Sequence, residues 1–407
     1  MEVLHEICCG LDVHKQNVTA CLRKGRESEA RTFKTVTRAL LELYDWLSEN
    51  KCAQVAMEAT GVYWKPIYNI LESGFHVMLV NAKHIKAVPG RKTDVKDAEW
   101  IAQLLQHGLL QASFVPRPDI REMRELTRHR TKLTQQRASV VNRIQKVLED
   151  ANIKLASVAT DILGKSGRAM LEAIVSGNSD PEVLAEMSLR SMRKKIPELR
   201  EALYGRVMEH HRFMLRELLD QVDWLDAAIE RASKRIEEKM HPFVEMLDKA
   251  STIPGVQTCV AERVLAEIGP EMSQFPSERH LLSWAKLCPG NNESAGKHKS
   301  EKTGKGNNWL RGALVEAAWA AARTKGTYLS AVYHRIARRR GKNRAIVAVA
   351  ARILVILYHI WRDGGVYQEL GVDFFDKLNY EHLKKHLVRR LESLGLAVTL
   401  TETAAAA

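Results

Sequence analysis

The stretch Glu6-Ile7-Cys8-Cys9-Gly10-Leu11-Asp12-Val13-His14-Lys15 sets one carboxylate inside an apolar, β-prone run that continues to Leu22. A charge beside a buried strand is costly unless something compensates it, so Asp12 is the residue to read outward from. Lys24-Gly25-Arg26 makes a turn, and Ala30 to Val36 can pair back as further strand. Leu40, Leu41, Tyr44 and Leu47 follow at helical spacing and end near Asn50. Ala53 to Met57 reads as a short buried strand, Val62 to Leu71 as a helix closed by Gly74, and Phe75 to Val80 as another strand. After a basic loop from Lys83 to Lys92, Asp94 to Gln106 is strongly helical. A strand hairpin, then strand–helix–strand, then helix, predicts an α/β layer built on a mixed sheet.

Three further acids stand where metal chemistry would want them. Glu58 caps the buried run Val55-Ala56-Met57, and Asp94 and Asp97 lie three apart at the start of one helix, on a shared face. A divalent ion such as Mg²⁺ takes hard oxygen ligands of this kind, and two ions about 3.5–4 Å apart can stabilise both oxygens of a phosphodiester displacement. The bland reading stands beside it: Asp94 as a helix-start acid favoured by the dipole, Asp97 as a solvated surface residue. Asp12 resists that reading because its strand neighbours are apolar.

Pro116 and Pro118 punctuate the next boundary, and beyond them the chain is almost wholly helical. Arg121 to Asp150 is a helix rich in Arg and Lys. Leu215, Leu218, Val222, Leu225, Ile229, Ala232 and Ile236 form a heptad seam. Such a seam serves an antiparallel hairpin within one subunit or a coiled coil between two. Between these helices, Gly164 to Pro197 mixes breakers with short helical stretches. A later region holds Ile253-Pro254-Gly255-Val256, a helix to Ile268, a polar Gly-rich loop from Pro289 to Asn308 and an Ala-rich helix from near Trp309. Four regions result: 1–115 as the α/β domain, 116–248 as a helical, coiled-coil and oligomerising middle, 249–330 as a domain with a serine loop, and 331–407 as a basic helical end.

The 407 residues carry a formal charge of +13, which favours polyanionic partners, nucleic acid or an acidic membrane surface. The opening MEVLHEICCG has neither a basic n-region nor a long apolar run, which predicts no secretory leader. Ala345 to Trp361 is apolar but short and carries Arg352 and His359, so a buried helix is expected rather than a span. The six cysteines show no zinc spacing and read as reduced, mostly buried thiols of a cytoplasmic protein. His334 to Arg344 holds six Arg or Lys and no acid, which suits phosphate backbone or a solvated face. Trp64, Trp284 and Trp309 fit core packing better than base stacking.

In the Pro289–Ser300 loop, Ser294 lies beside Gly296, Lys297 and Lys299. Its chemistry alone allows a phosphate ligand, a turn residue or a nucleophile, and a serine hydroxyl needs activation to attack. Arg311 and Asn307 follow close enough to steady this segment or a phosphate held by it. Ile253 to Val256 resembles a helix-hairpin-helix, whose backbone N–H groups near Gly255 would face a phosphate without reading bases; an ordinary turn between core helices is the alternative.

Gly-Leu-Asp-Val-His-Lys at 10–15, Met-Glu-Ala-Thr-Gly-Val-Tyr-Trp at 57–64 and Lys-Thr-Asp-Val-Lys-Asp-Ala at 92–98 resemble the DEDD-type transposases of insertion sequences. The front domain of that family is similar to the RuvC Holliday-junction resolvase, so the resemblance implies an RNase H-like fold, in keeping with the element order. It further implies that Asp12, Glu58, Asp94 and Asp97 are catalytic acids binding Mg²⁺, with Mn²⁺ as an alternative. Ser294, with Ser300 as fallback, would be the nucleophile that forms a phosphoserine link to DNA. It would complete one composite site with the acids, within a subunit or across two. Donor and target DNA, a structured non-coding bridge RNA, and a homodimer assembling into a homotetramer are the implied partners. Lys15, Arg91, Lys92, Gly255, Lys297, Lys299 and Arg311 are the expected nucleic-acid contacts. The competing function is a metal-dependent junction resolvase that uses water, with Ser294 merely structural.

Overall fold

A computed structural model of the chain describes residues 2–59, 61–81, 97–289, 292–294, 297–300, 303–304 and 306–400. The chain forms two compact units, Met1–Pro116 and Arg117–Ala407.

The front unit is a mixed α/β layer. Its strands are β1 (Ile7–Val13), β2 (Asn17–Lys24), β3 (Glu27–Lys34), β4 (Gln54–Glu58) and β5 (His76–Val80), in spatial order β3-β2-β1-β4-β5. β1, β2 and β3 pair antiparallel, whereas β4 lies parallel to β1 and β5 parallel to β4. The β-prone run from Glu6 breaks at 14–16, where the His14 amide donates to the Asn17 carbonyl at 2.9 Å and the chain doubles back. Helices α1 (Thr37–Glu49) and α2 (Trp64–Leu71) supply the crossovers. Side chains alternate across a strand, and each face of β1 has its own cover. Cys9, Leu11 and Val13 join Val55, Met57, Leu43, Leu47, Ile67 and Leu71 in the core beneath α1 and α2. On the opposite face, Cys8 and Ala56 pack with Ile101, Leu104 and Leu105 of α3 (Asp97–Gln106).

Among the described residues the rear unit is helical apart from one small hairpin. Its middle is an antiparallel pair, α4 (Pro118–Asp150) with α9 (Glu209–Met240). Between them stand α5 (Leu155–Val158), α6 (Lys165–Val175), α7 (Pro181–Glu186) and α8 (Ile196–Leu203). Pro118 opens α4 at a position where its missing N–H costs nothing. The direction of the pair follows from its ion pairs: Glu122 with Lys239, Arg137 with Asp226, Asp150 with His211. Leu215, Leu218, Val222 and Leu225 are buried against Leu133, Val140, Ile144 and Leu148, so the heptad seam is used within one chain.

A second core follows, built from α10 (Val244–Ser251), α11 (Thr258–Ile268), α12 (Glu278–Ala285), α13 (Asn308–Arg323), α14 (Tyr328–Arg340) and α15 (Lys342–Asp363). The 289–308 segment contains two short strands, β6 (Asn292–Ser294) and β7 (Lys297–Ser300), paired antiparallel. Helix α15 is the one described helix long and apolar enough to cross a membrane. Here its apolar residues, from Ala345 through Leu357 to Trp361, are packed into that core. Two short helices, α16 (Phe374–Leu378) and α17 (Tyr380–Glu392), end the described chain.

Candidate functional site

In the front unit, Leu11 of β1 is paired with Met57 of β4. The next residue on each strand is an acid, so Asp12 and Glu58 stand side by side at the carboxyl end of two parallel neighbours. Alternation puts both on the face that carries Cys8, Gly10 and Ala56, the face covered by α3.

Helix α3 runs opposite to β1. At its far end the Gln106 carbonyl accepts from the Leu4 and His5 amides (2.8 and 3.2 Å), and the Ala102 carbonyl accepts from Cys8 Sγ at 3.5 Å. At its near end, a Cβ on Gly10 would collide with the Ala98 carbonyl oxygen and the Ala102 amide nitrogen. The first turn of α3, which carries Asp97 and Glu99, therefore stands at the same end of the sheet as Asp12 and Glu58. A helix start presents unpaired N–H groups and partial positive charge, which favours acids nearby. Asp12 and Asp97 are each only partly exposed, as is Glu58. Asp94, Arg91 and Lys92 lie outside the described residues.

Sequence reasoning missed His14. Its Nε2 lies 3.0 Å from Asp12 Oδ2, while its ring remains largely exposed. Two residues apart at a strand end, the pair shares a face, and that spacing was the signal available. Lys15 is exposed in the same turn, its carbonyl accepting from Thr35 Oγ1 at 2.8 Å. Carboxylate oxygens are the hard donors that a divalent ion requires. Asp12, Glu58 and Asp97 are donors of that kind, on elements that end at the same side of the sheet.

In the rear unit, Ser294 pairs with Lys297 across the β6–β7 hairpin; the side chains of Ser294, Lys297 and Lys299 lie outside the description. The stems of this segment are tied down. Asn307 caps α13 by accepting from the Trp309 and Leu310 amides at 3.0 and 3.2 Å. Arg311 Nη2 donates to the Lys286 carbonyl and to Thr303 Oγ1, both at 2.8 Å. Gly255 has φ +85°, and a side chain there would collide with the backbone of Ala317 and Ala321 in α13. Both facts require glycine at that turn for packing reasons. Of the tryptophans, Trp64 packs edge-on to Tyr68 and Trp284 against Phe275, while Trp309 lies beneath Arg128 and Lys132.

A second ligand-like group, Asp150, His210 and His211, joins α4 to α9. His211 is buried; its Nδ1 accepts from the Met208 amide at 3.1 Å and its Nε2 faces Asp150 Oδ2 at 2.9 Å. An Nδ1 that accepts leaves the proton on Nε2, so the ring donates to Asp150 and has no lone pair directed at an ion. The hydrogen bond from His211 holds the Asp150 carboxyl below its usual range. This group fastens the helix hairpin.

Two transposase models match the chain. One, of the DEDD transposase domain of the IS110 type and described as "Transposase", covers residues 9–153. The other, described as "Transposase IS116/IS110/IS902 family", covers residues 247–334. No curated protein matches the chain. The first match spans Asp12, Glu58 and Asp97 and the second spans the Ser294 hairpin; the chain thus carries IS110-family transposase domains front and rear, and it is a DNA transposase/recombinase of an insertion sequence.

Proposed function

We propose that the chain cuts and rejoins DNA through a serine nucleophile in the rear domain and a divalent-ion site, Asp12, Glu58, Asp94 and Asp97, in an RNase H-like, RuvC-like front domain. The observation that carries this reading is the placement of Asp12 and Glu58 on adjacent parallel strands, on one face, at the end where α3 begins. Mg²⁺ suits the oxygen donors, and when bound it would polarise a phosphate oxygen and neutralise charge gathering on the leaving oxygen. The protein's own part is to hold these acids at fixed positions and to bring the strand to them.

Ser294 Oγ would attack the phosphorus, giving up its proton as the new O–P bond forms. The bond to one strand end breaks, and that end leaves as a hydroxyl after taking up a proton. The phosphoserine link keeps the energy of the broken phosphodiester, so a different strand end can attack it, restore a phosphodiester and free the serine. Donor and target DNA are the substrates under this reading. The resemblance of the 10–15, 57–64 and 92–98 motifs to DEDD-type insertion-sequence transposases supports a bridge RNA as guide and a homodimer pairing into a tetramer. Ile253 to Val256 would act as a helix-hairpin-helix on the phosphate backbone.

Incubating the protein with element-end DNA and Mg²⁺ or Mn²⁺, then denaturing it, tests the chemistry. A protein–DNA adduct lost in Ser294→Ala and in Asp12→Asn is expected. Cut ends with no adduct would instead support the water-using junction resolvase. RNA co-purifying with the protein, and strand joining that stops after ribonuclease treatment, tests the guide.

A further inference from the structure

The rear unit holds a buried carboxylate with no part in the chemistry above. Glu267, near the end of α11, is 2% exposed. It accepts from Arg128 Nε and Nη2 at 2.7 and 2.8 Å and from Asn307 Nδ2 at 2.5 Å, and Arg124 Nε stands 3.4 Å away. Arg124 also donates to the Ala266 and Glu267 carbonyls at 3.2 and 2.6 Å. A carboxylate removed from water needs its lone pairs filled, and here α4 and Asn307 fill them.

Asn307 is the residue at which the serine-bearing segment ends and α13 begins. Its oxygen caps the helix and its nitrogen donates to Glu267, so both ends of one amide are committed and its rotation is fixed. The opposite stem is held from one turn further along, by Arg311 on the Lys286 carbonyl. The stems also touch each other, since a Cβ on Gly306 would collide with the Ala285 carbonyl. The stems are thus held at the described residues Lys286, Gly306 and Asn307.

We propose that Glu267 is a positioning residue: through Asn307 it fixes the rear stem of the 289–308 segment and so sets where Ser294 meets the phosphate. This rests on the serine reading above. A displacement of about 1 Å at a reacting group costs on the order of 10²-fold in rate, so loosening this stem slows chemistry without removing any group that touches DNA.

A charge-conserving exchange tests it. Asn307→Asp keeps a good helix cap but sets carboxylate against carboxylate, and Glu267→Gln removes the charge that Arg124 and Arg128 face. In the double variant the two groups trade places: the amide now at 267 can donate to the carboxylate now at 307, and one negative charge remains beside the arginines. Each single variant is expected to slow single-turnover strand cleavage by about 10²-fold, with DNA Kd unchanged within about twofold. Each is also expected to speed tryptic cutting between 297 and 305. The double variant recovers part of both readouts, because the nitrogen at 267 that reaches 307 also faces Arg128 Nη2. A wild-type cleavage rate in Asn307→Asp, a double variant no better than the worse single, or slowed cleavage with unchanged proteolysis overturns the proposal. Adduct formation by Ser294→Ala, alongside faster proteolysis in the single variants, would sink the nucleophile assignment and leave the clasp standing.

Discussion

Gly10 and Ala98 meet backbone to backbone, with no room for a Cβ between the strand that carries Asp12 and the helix turn that carries Asp97. The contact fixes the spacing of two candidate ligands on different elements. Gly10→Ala forces α3 away from β1, and overpacking of this kind costs typically about 1–3 kcal/mol. Because the obstacle is backbone, the upper part of that range is expected in chemical denaturation. Cleavage should fall further than stability does, since the displaced turn is the one beside the acids.

Asp12→Asn and Glu58→Gln should leave the fold intact. Two adjacent carboxylates repel in the absence of an ion, which offsets the loss of contacts such as that of His14 on Asp12, so thermal melting in chelator should change little. Mg²⁺ should stabilise the wild-type protein by RT ln(1 + [Mg²⁺]/Kd), about 2.7 kcal/mol at a hundredfold excess over Kd, and should do little for either variant. Loss of several kcal/mol of charge stabilisation predicts cleavage at least about 10²-fold slower. A variant that retains both ion-induced stabilisation and cleavage would remove its residue from the site.

Asp12 was legible in the sequence because a charge interrupts an apolar strand, and Glu58 because it ends one. Their adjacency was not, since β1 finds β4 only after β2, β3 and α1 have been passed over. The break at His14-Lys15-Gln16 carries no Gly or Pro, so nothing local announced the hairpin that brings His14 onto Asp12. The heptad seam from Leu215 to Ile236 fitted two arrangements equally; Leu133, Val140 and Ile144 decide for the intrachain one, and they belong to a helix whose surface reads as charged. Nothing in the sequence around Glu267 marks it as a buried, paired acid. Its partner Arg128 lies 139 residues earlier in the chain, and no periodicity reports such a pairing.

The front-unit thiols should be chemically silent. Burial pushes Cys8 up to about 11 and Cys52 up to about 12, and raises Cys9 and Cys21 as well. A raised value means less thiolate, the reactive form; at pH 8 a thiol titrating near 11 is ionised at about one part in a thousand. Iodoacetamide on the native protein should therefore modify only Cys259 and Cys288, the two thiols that are not buried. Cys259 should react slowly, because burial of its sulfur raises it too and outweighs Arg130, whose Nη2 lies 3.1 Å away and favours the thiolate. Denaturant should release the other four together, which peptide mapping by mass spectrometry reads directly. Early labelling of Cys8 or Cys21 would mean that α3 does not cover that face of the sheet in solution.

Arg338, Arg339 and Arg340 close α14 on an exposed face, and Lys342 and Arg344 open α15 just beyond Gly341. Cations at the end of α14 are favoured by its dipole, which alone would account for a solvated face. A DNA-contacting face makes a different demand: each phosphate neutralised releases counterions, so affinity falls with salt by about 0.9 in log–log slope per contact. Replacing the three arginines by alanine should weaken binding to unrelated duplexes equally and reduce the slope by as much as about 3. The fold should hold, because none of the three side chains is buried. An unchanged slope would assign these charges to solvent and move the DNA path elsewhere on the rear unit.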